Sequence, residues 1–253
     1  MKLVTVIIPF YKKKKFILKT LNSILNQSFN KFQILIIYDD NNLKDLFFLK
    51  KIKNKKIKIL INKKNLGAGY SRNVGIRKAK TKYIAFCDAD DIWHKHKLKK
   101  QIFLMEKNNI EFLHSDYKIM NDNNKIIGKM RIQKEMTYNR LLKSCDIGLS
   151  TVIIKTKCLK KNLFSKLKTK EDYALWLKLL RNGIKIEGVN QSLVTWRKNS
   201  FSLSSNIEQK FLDAFRLYYI YEKFNFIKSL YLTFRLSMFF LIKRFIQKKN
   251  LLR

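Results

Sequence analysis

The sequence predicts an α/β protein: a mainly parallel sheet flanked by helices, with a helical extension at its C-terminal end. Short β-branched runs recur early in the chain and alternate with segments of helical period, the pattern of βαβ units. From about Phe211 the composition shifts to aromatic, aliphatic and basic residues. A length of 253 residues, with 46% hydrophobic and 13% aromatic side chains, is enough for a real core. The expected division is a sheet-forming domain over residues 1–206 and an amphipathic basic helical extension over residues 207–253.

The strand candidates are Val4 to Ile8, Ile34 to Tyr38, Ile57 to Ile61 and Tyr83 to Cys87. Between them Ile17, Leu18, Leu21, Ile24 and Leu25 make one apolar stripe, and Ala68 to Ala79 can make another. A long helix is expected from Lys95 to Asn108. Beyond it, Glu111 to Met120 and Ile126 to Met130 flank the turn-rich Asn121-Asp122-Asn123-Asn124, which predicts a hairpin. Another helix begins near Glu171 and stops at Gly183, a good C-terminal cap. A short strand pair is expected around Ile184 to Trp196. Pro9 is the single proline, and no Pro/Gly linker or internal repeat divides the chain.

The chain carries 55 Lys and Arg against 18 Asp and Glu, a formal charge of +37. Most of the basic residues are Lys, spread along the chain among many Asn and Ile, a pattern that resembles the codon bias of an AT-rich genome. Such a field attracts anions, whether nucleotides, phospholipid headgroups or nucleic acid. Cys87, Cys145 and Cys158 are far apart and form no CxxC pair, which argues for a reducing compartment and against a disulfide framework or zinc site. His94 and His96 alternate without a matching ligand pair. The N-terminus goes directly into VTVIIPFY with no signal-peptide pattern, so the expected location is the cytoplasm.

The scarce acid is concentrated. IAFCDADDIW places Asp88, Asp90 and Asp91 at the end of an apolar strand candidate. In extended chain Asp88 and Asp90 project to one face. Two carboxylates at a strand edge suit a hard divalent cation, whose shell substrate phosphates and water complete. The alternative is a solvated turn with Asp91 capping the next helix through Lys95. Asp39-Asp40 end a second apolar run and can accept hydrogen bonds from a ribose or base, or form a turn with Asn41-Asn42. Glu171-Asp172 open a helix, where Thr169-x-x-Asp172 also matches a capping box. Tyr173, Trp176 and Trp196 can platform a sugar or pack in the core.

In order, VTVIIPFY, IIYDD, NLGAGYSRNVGI, YIAFCDADDIW, KEDYALWLKLLRNG and LVTWRKNSFSLSSN resemble the family-2 glycosyltransferases over residues 3 to 206. The resemblance implies the GT-A fold and transfer of a sugar from a nucleotide diphosphate donor with inversion. It implies that Pro9 and Tyr11 line the nucleotide pocket, that Asp40 binds the base and that Arg72 lies near the donor. Asp88 and Asp90 would form the DXD motif, with Asp90 the ligand of Mg2+ or Mn2+, and Asp172 would be the general base. Inversion needs such a base opposite the leaving group. Lys12 replaces the family's frequent Asn, and Asn41-Asn42 replace Gly-Ser; both departures bear on the donor's base and sugar.

The expected enzyme is a hexosyl- or N-acetylhexosaminyl-transferase using a nucleotide-sugar, with a UDP-sugar the leading donor. Its acceptor would be lipid-linked or a cell-surface polysaccharide such as lipopolysaccharide. One rival is a basic nucleic-acid-binding protein, against which stand the missing binding motif and the repulsion of phosphates by the acidic cluster. The other rival, a non-catalytic sugar-nucleotide-binding relative, is opposed by intact Asp88, Asp90 and Asp172. In the tail, Leu236 to Ile242 is far short of the roughly 20 residues that span a bilayer. Phe234, Phe239, Phe240 and Phe245 alternate with Arg235, Lys243, Arg244, Lys248 and Lys249. Such a helix can lie on an anionic membrane surface or pack on the catalytic domain, and the expectation is a peripheral protein on the inner face of the cytoplasmic membrane.

Overall fold

The computed structural model describes residues 2–198 and 206–249, with side chains as far as residue 238. Residues 202–205 of the SLSSN element, and the side chains of Phe239, Phe240, Phe245, Lys243, Arg244, Lys248 and Lys249, lie outside the described set. The chain alternates β1 (Val4–Phe10), α1 (Lys14–Leu25), β2 (Phe32–Tyr38), α2 (Leu43–Lys50), β3 (Ile57–Ile61), α3 (Ala68–Lys78) and β4 (Tyr83–Phe86). It continues with β5 (Ile92–Trp93), α4 (Lys97–Lys107), β6 (Phe112–Met120), β7 (Ile126–Met130), β8 (Glu135–Met136) and α5 (Tyr138–Leu141). After a 3-10 turn at Leu149–Thr151 come β9 (Ile153–Lys155), α6 (Thr156–Leu159), α7 (Glu171–Arg181) and β10 (Ile186–Arg197). Two C-terminal helices, α8 (Ile207–Arg216) and α9 (Phe226–Lys249), are joined through a π-helical turn at Leu217–Tyr221.

The strands form one mixed sheet in the order β3-β2-β1-β4-β9-β6-β10-β5, with β7 added to β6 and β8 to β10. The first four spatial positions are parallel, as the βαβ pattern predicts: β1 pairs with β2 and β4, and β2 with β3. β9 then runs antiparallel between β4 and β6, while β6 and β10 are parallel again. The expected strand pair around Ile184 to Trp196 is a single strand, β10. Its turn-like residues Asn190 and Gln191 are absorbed as a register irregularity between Val189 and Ser192 instead of reversing the chain. The hairpin of β6 and β7 forms as expected.

Alternation along β1 sends Val6 and Ile8 to one face and Ile7 to the other, so each face has its own core. On the first, Ile17, Leu21 and Ile24 of α1 meet Leu98, Ile102 and Met105 of α4. On the second, Ile76 of α3 joins Leu175 and Trp176 of α7, and Ala214, Leu232 and Leu236 of the C-terminal helices enter the same cluster. Parallel strands covered on both faces read as nearly continuous apolar runs, which is why β1 and β2 stand out in the sequence. Helix α7 ends where expected, with Gly183 at φ +79° just beyond its cap.

Candidate active site

Parallel register carries the acids to one edge. Asp39 N donates to Phe10 O and Cys87 N to Ile7 O, so the exits of β1, β2 and β4 are tied together. In such sheets the region beyond the carboxyl ends of the strands is the ligand-binding edge. Pro9 is half-buried in β1, and Tyr11 just beyond it is exposed, with Lys12 Nζ 5.1 Å from its ring centroid.

The Asp39-Asp40 pair divides its work. Asp39 is buried and accepts from Leu66 N (2.9 Å), Gly67 N (2.8 Å) and Asn62 Nδ2 (2.7 Å), which shapes the loop into α3. Asp40 is half-buried and accepts from Lys12 N and Asn42 N. Asn42 in turn caps α2, accepting from Lys44 N and Asp45 N. The DDNN stretch is therefore a helix entry as well as a turn.

Strand β4 stops at Phe86, so Asp88 and Asp90 are presented by a turn, closed by Asp91 N donating to Asp88 O, and strand alternation does not place them. Asp88 accepts from Arg72 at 2.8 Å and keeps a third of its side chain exposed. Asp90 is nearly buried and is held by Lys13 Nζ at 2.6 Å. Burial raises the Asp90 pKa, with Lys13 opposing. Asp91 is fully buried and does not cap α4, whose N-cap, His96, makes no side-chain cap bond. It accepts instead from Ser150 Oγ and Arg197 N, and burial beside Asp90 and Asp88 pushes its pKa well up.

Arg72 is the centre of the site. Buried on α3, it donates through one nitrogen to Asp88 Oδ1 and through another to Glu171 Oε1 at 2.6 Å. Burial works against its charge, but Asp88 and Glu171 together outweigh that and raise its pKa. Glu171 is pushed up to about 7 by burial, with Arg72 opposing and Asp172 adding to the rise. Its neighbour Asp172 is half-buried, and burial raises its pKa against the pull of Arg72. The capping box does not form: Lys170 occupies the N-cap, Thr169 is bonded to Asp213, and Asp172 Oδ1 accepts from Tyr173 N. Asp172 borders a cavity of about 190 Å³ with Lys170 and Lys210. A larger groove along α4, lined by Phe29 and Phe103, has none of the candidate residues in its wall.

Two supporting residues, Lys13 and Ser150, were not singled out from the sequence, and two more, Glu171 and Arg197, were seen only as the neighbour of Asp172 and as part of a motif. Lys13 holds Asp90, Glu171 holds Arg72, and Ser150 Oγ accepts from Asp88 N. Arg197 donates to Asp90 O, to Asn121 O and to Asn124 Oδ1. Arg197 lies in the LVTWRKNSFSLSSN element, which is its signal; a lone Ser150 has none. Tyr173 and Trp176 are core residues, whereas Trp196 is partly exposed.

Among the described residues no three His, Cys, Asp or Glu side chains converge as a ready metal cage. The donor set nevertheless fits a hard cation: Asp88 is open to solvent, and Asp90 already holds a positive charge in Lys13. One or two such carboxylates, with substrate oxygens, meet the needs of Mg2+ or Mn2+.

Comparison with known proteins gives the fold and the family. The Escherichia coli UDP-Glc:alpha-D-GlcNAc-diphosphoundecaprenol beta-1,3-glucosyltransferase WfgD is 38% identical over 207 residues, covering 81% of this chain and 80% of that one. S. aureus TarS 1-349 in complex with UDP-GlcNAc superposes with a TM-score of 0.68 at 23% identity, over 90% of this chain and 69% of that one. The Pyrobaculum calidifontis mannosyltransferase PcManGT, in complex with GDP-Man and Mn2+, gives 0.65 at 12% identity over 90% and 69%. These folds are GT-A transferase folds, and the nucleic-acid-binding and non-catalytic readings give way to the enzyme. The model of the family described as Glycosyl transferase family 2 matches residues 5–167, and the chain belongs to that family.

Proposed function

We propose that the chain transfers a hexose or N-acetylhexosamine, with inversion, from a UDP-sugar to a sugar carried on a lipid diphosphate. The observation that carries this reading is Arg72, whose two bonds join the Asp88 turn to the first residue of α7, beside Asp172. Residues 1–206 form the catalytic unit and residues 207–253 its extension. Pro9 and Tyr11 line the nucleotide pocket and Asp40 meets the base. Asp88 and Asp90 would hold the divalent cation, Mg2+ or Mn2+, which when bound neutralises charge on the leaving diphosphate. Arg72 adds positive charge behind Asp88. Asp172 takes the proton of the acceptor hydroxyl as that oxygen attacks the anomeric carbon, and its raised pKa suits the task.

The donor and acceptor classes are supported by the printed activity of the 38%-identical relative. The supports for attachment to an anionic membrane are the exposed Ile227, Tyr231, Phe234 and Met238 of α9 and the net charge of +37. No helix among the described residues is long and apolar enough to cross a membrane. The expected place of work is the cytoplasmic membrane's inner face, where a lipid-linked acceptor is reached without crossing. The test supplies UDP-glucose or UDP-GlcNAc, Mn2+ and GlcNAc α-linked to an alkyl diphosphate. Proton NMR of the product should show a new β linkage. An α linkage, or transfer from other nucleotide-sugars only, would overturn the reading.

A further inference from the structure

The cavity beside Asp172 is lined by two lysines. Its lining includes Thr169, Lys170 and Asp172, the apolar Ile147, and Lys210 of α8. Lys170 and Lys210 are both half-buried, in a chain whose other charges are mostly solvated. Lys170 places a positive charge beside Asp172 and Cys145, which partly opposes the rise that burial gives each of them. At about 190 Å³ the space is smaller than the roughly 300–1,000 Å³ typical of drug-sized ligands, and suits one headgroup unit.

Position is enforced from behind. Asp213, fully buried on α8, accepts from both Thr169 N (2.8 Å) and Thr169 Oγ1 (3.0 Å). Residues three apart share a helix face, so the same face of α8 that grips the Asp172 loop carries Lys210 toward the cavity. Lys170 itself has φ +68°, a left-handed conformation unusual for lysine, and remains the first acceptor of α7 through Ala174 N. The C-terminal extension thus supplies a wall and a cation to the site of the base.

We propose that Lys170 and Lys210 form the subsite for the acceptor's diphosphate, with the acceptor sugar between them and Asp172. This rests on the proposed lipid-diphosphate acceptor and adds which residues read it. Two ammonium groups suit a diphosphate as point charges. The donor's diphosphate has its own place at the Asp88 turn, separated from the cavity by the Arg72–Glu171 pair. The lipid chain leaves past the exposed Ile207 and Leu212 of α8.

The full chain tests this with two acceptors of equal alkyl length: GlcNAc α-linked to an alkyl diphosphate, and the uncharged GlcNAc α-alkyl glycoside. The native chain should show a KM at least tenfold lower for the diphosphate. In Lys170→Gln/Lys210→Gln this ratio should fall towards one, while Lys170→Arg/Lys210→Arg should keep most of it; melting curves establish that both fold. Full preference retained by the Gln variant overturns the subsite and leaves the proposed function standing. A KM increase confined to the UDP-sugar overturns it too, by assigning the lysines to the donor. A native chain without preference for the diphosphate sinks the lipid-diphosphate reading itself, and the subsite with it.

Discussion

Glu171 and Asp172 share one burial cost and one counter-charge, Arg72, and their pKa values are both raised. A base must be ionised to act, so kcat/KM should rise with pH through an ionisation above the usual carboxylate range. Arg72 is the charge that most lowers the Asp172 pKa, so Arg72→Gln should move that acid limb to higher pH. The stability consequence has the opposite character. Glu171 titrates at about 7 in the folded chain against 4.5 as its ordinary value, so between those pH values the folded state holds a proton that the unfolded state has released. Its contribution makes the fold less stable as pH rises through that window, and denaturant melts at pH 4.5 and 7 should show the slope shrink in Glu171→Gln. An unchanged acid limb in Arg72→Gln would separate Asp172 from the titration.

At the scale of elements, α3 lies against β1 through Gly75. A Cβ there would come within 2.6 Å of Ile7 Cγ2 and 2.9 Å of Ile7 Cδ1, and Ile7 is fully buried. Gly75→Ala should therefore cost about 1–3 kcal/mol in chemical melts, with loss of activity following loss of fold. Elements with strong periodicity were legible from the chain: β1 to β4, α1, α3 and α7 all stand where alternation and helical spacing place them. What escaped was written in weaker signals. Helix α2 is short and is capped by Asn42, inside a stretch that reads equally well as a turn. β9 has three residues and owes its existence to the two strands it joins. The expected start of α4 at Lys95 is two residues early, because the segment before Lys97 pairs as β5 and then turns. The acids of the site were visible because apolar runs end in them. Their partners Lys13 and Ser150 were not, since a contact across 77 or 59 residues leaves no local pattern.

Across the whole molecule, the extension does two jobs on two faces. Leu217, Tyr218, Leu232 and Leu236 are buried in the core shared with α7, and Tyr218 donates to Leu142 O at 2.9 Å. A chain ending at Asn206 would expose that core, so the membrane proposal is better tested by surface substitutions. Ile227→Ser/Tyr231→Ser/Phe234→Ser removes apolar groups that are more than half exposed. The native chain should sediment with vesicles rich in anionic lipid, and the triple variant should do so severalfold less. Salt at about 1 M, where the Debye length is about 3 Å, should weaken the electrostatic share and leave the apolar share. Equal sedimentation of both proteins would remove α9 from the membrane contact.

In the proposed reaction one edge of the sheet separates two roles, with Asp90 serving the donor's cation and Asp172 the acceptor's proton. Calorimetric titration of the UDP-sugar with and without Mn2+, into the native chain, Asp90→Asn and Asp172→Asn, tests that division when read beside turnover. Asp90→Asn should lose the Mn2+-dependent part of donor affinity. Asp172→Asn should bind donor as the native chain does, yet turn over about 10²-fold more slowly or worse. Native turnover in Asp172→Asn, or Mn2+-dependent donor binding that survives in Asp90→Asn, would contradict the account.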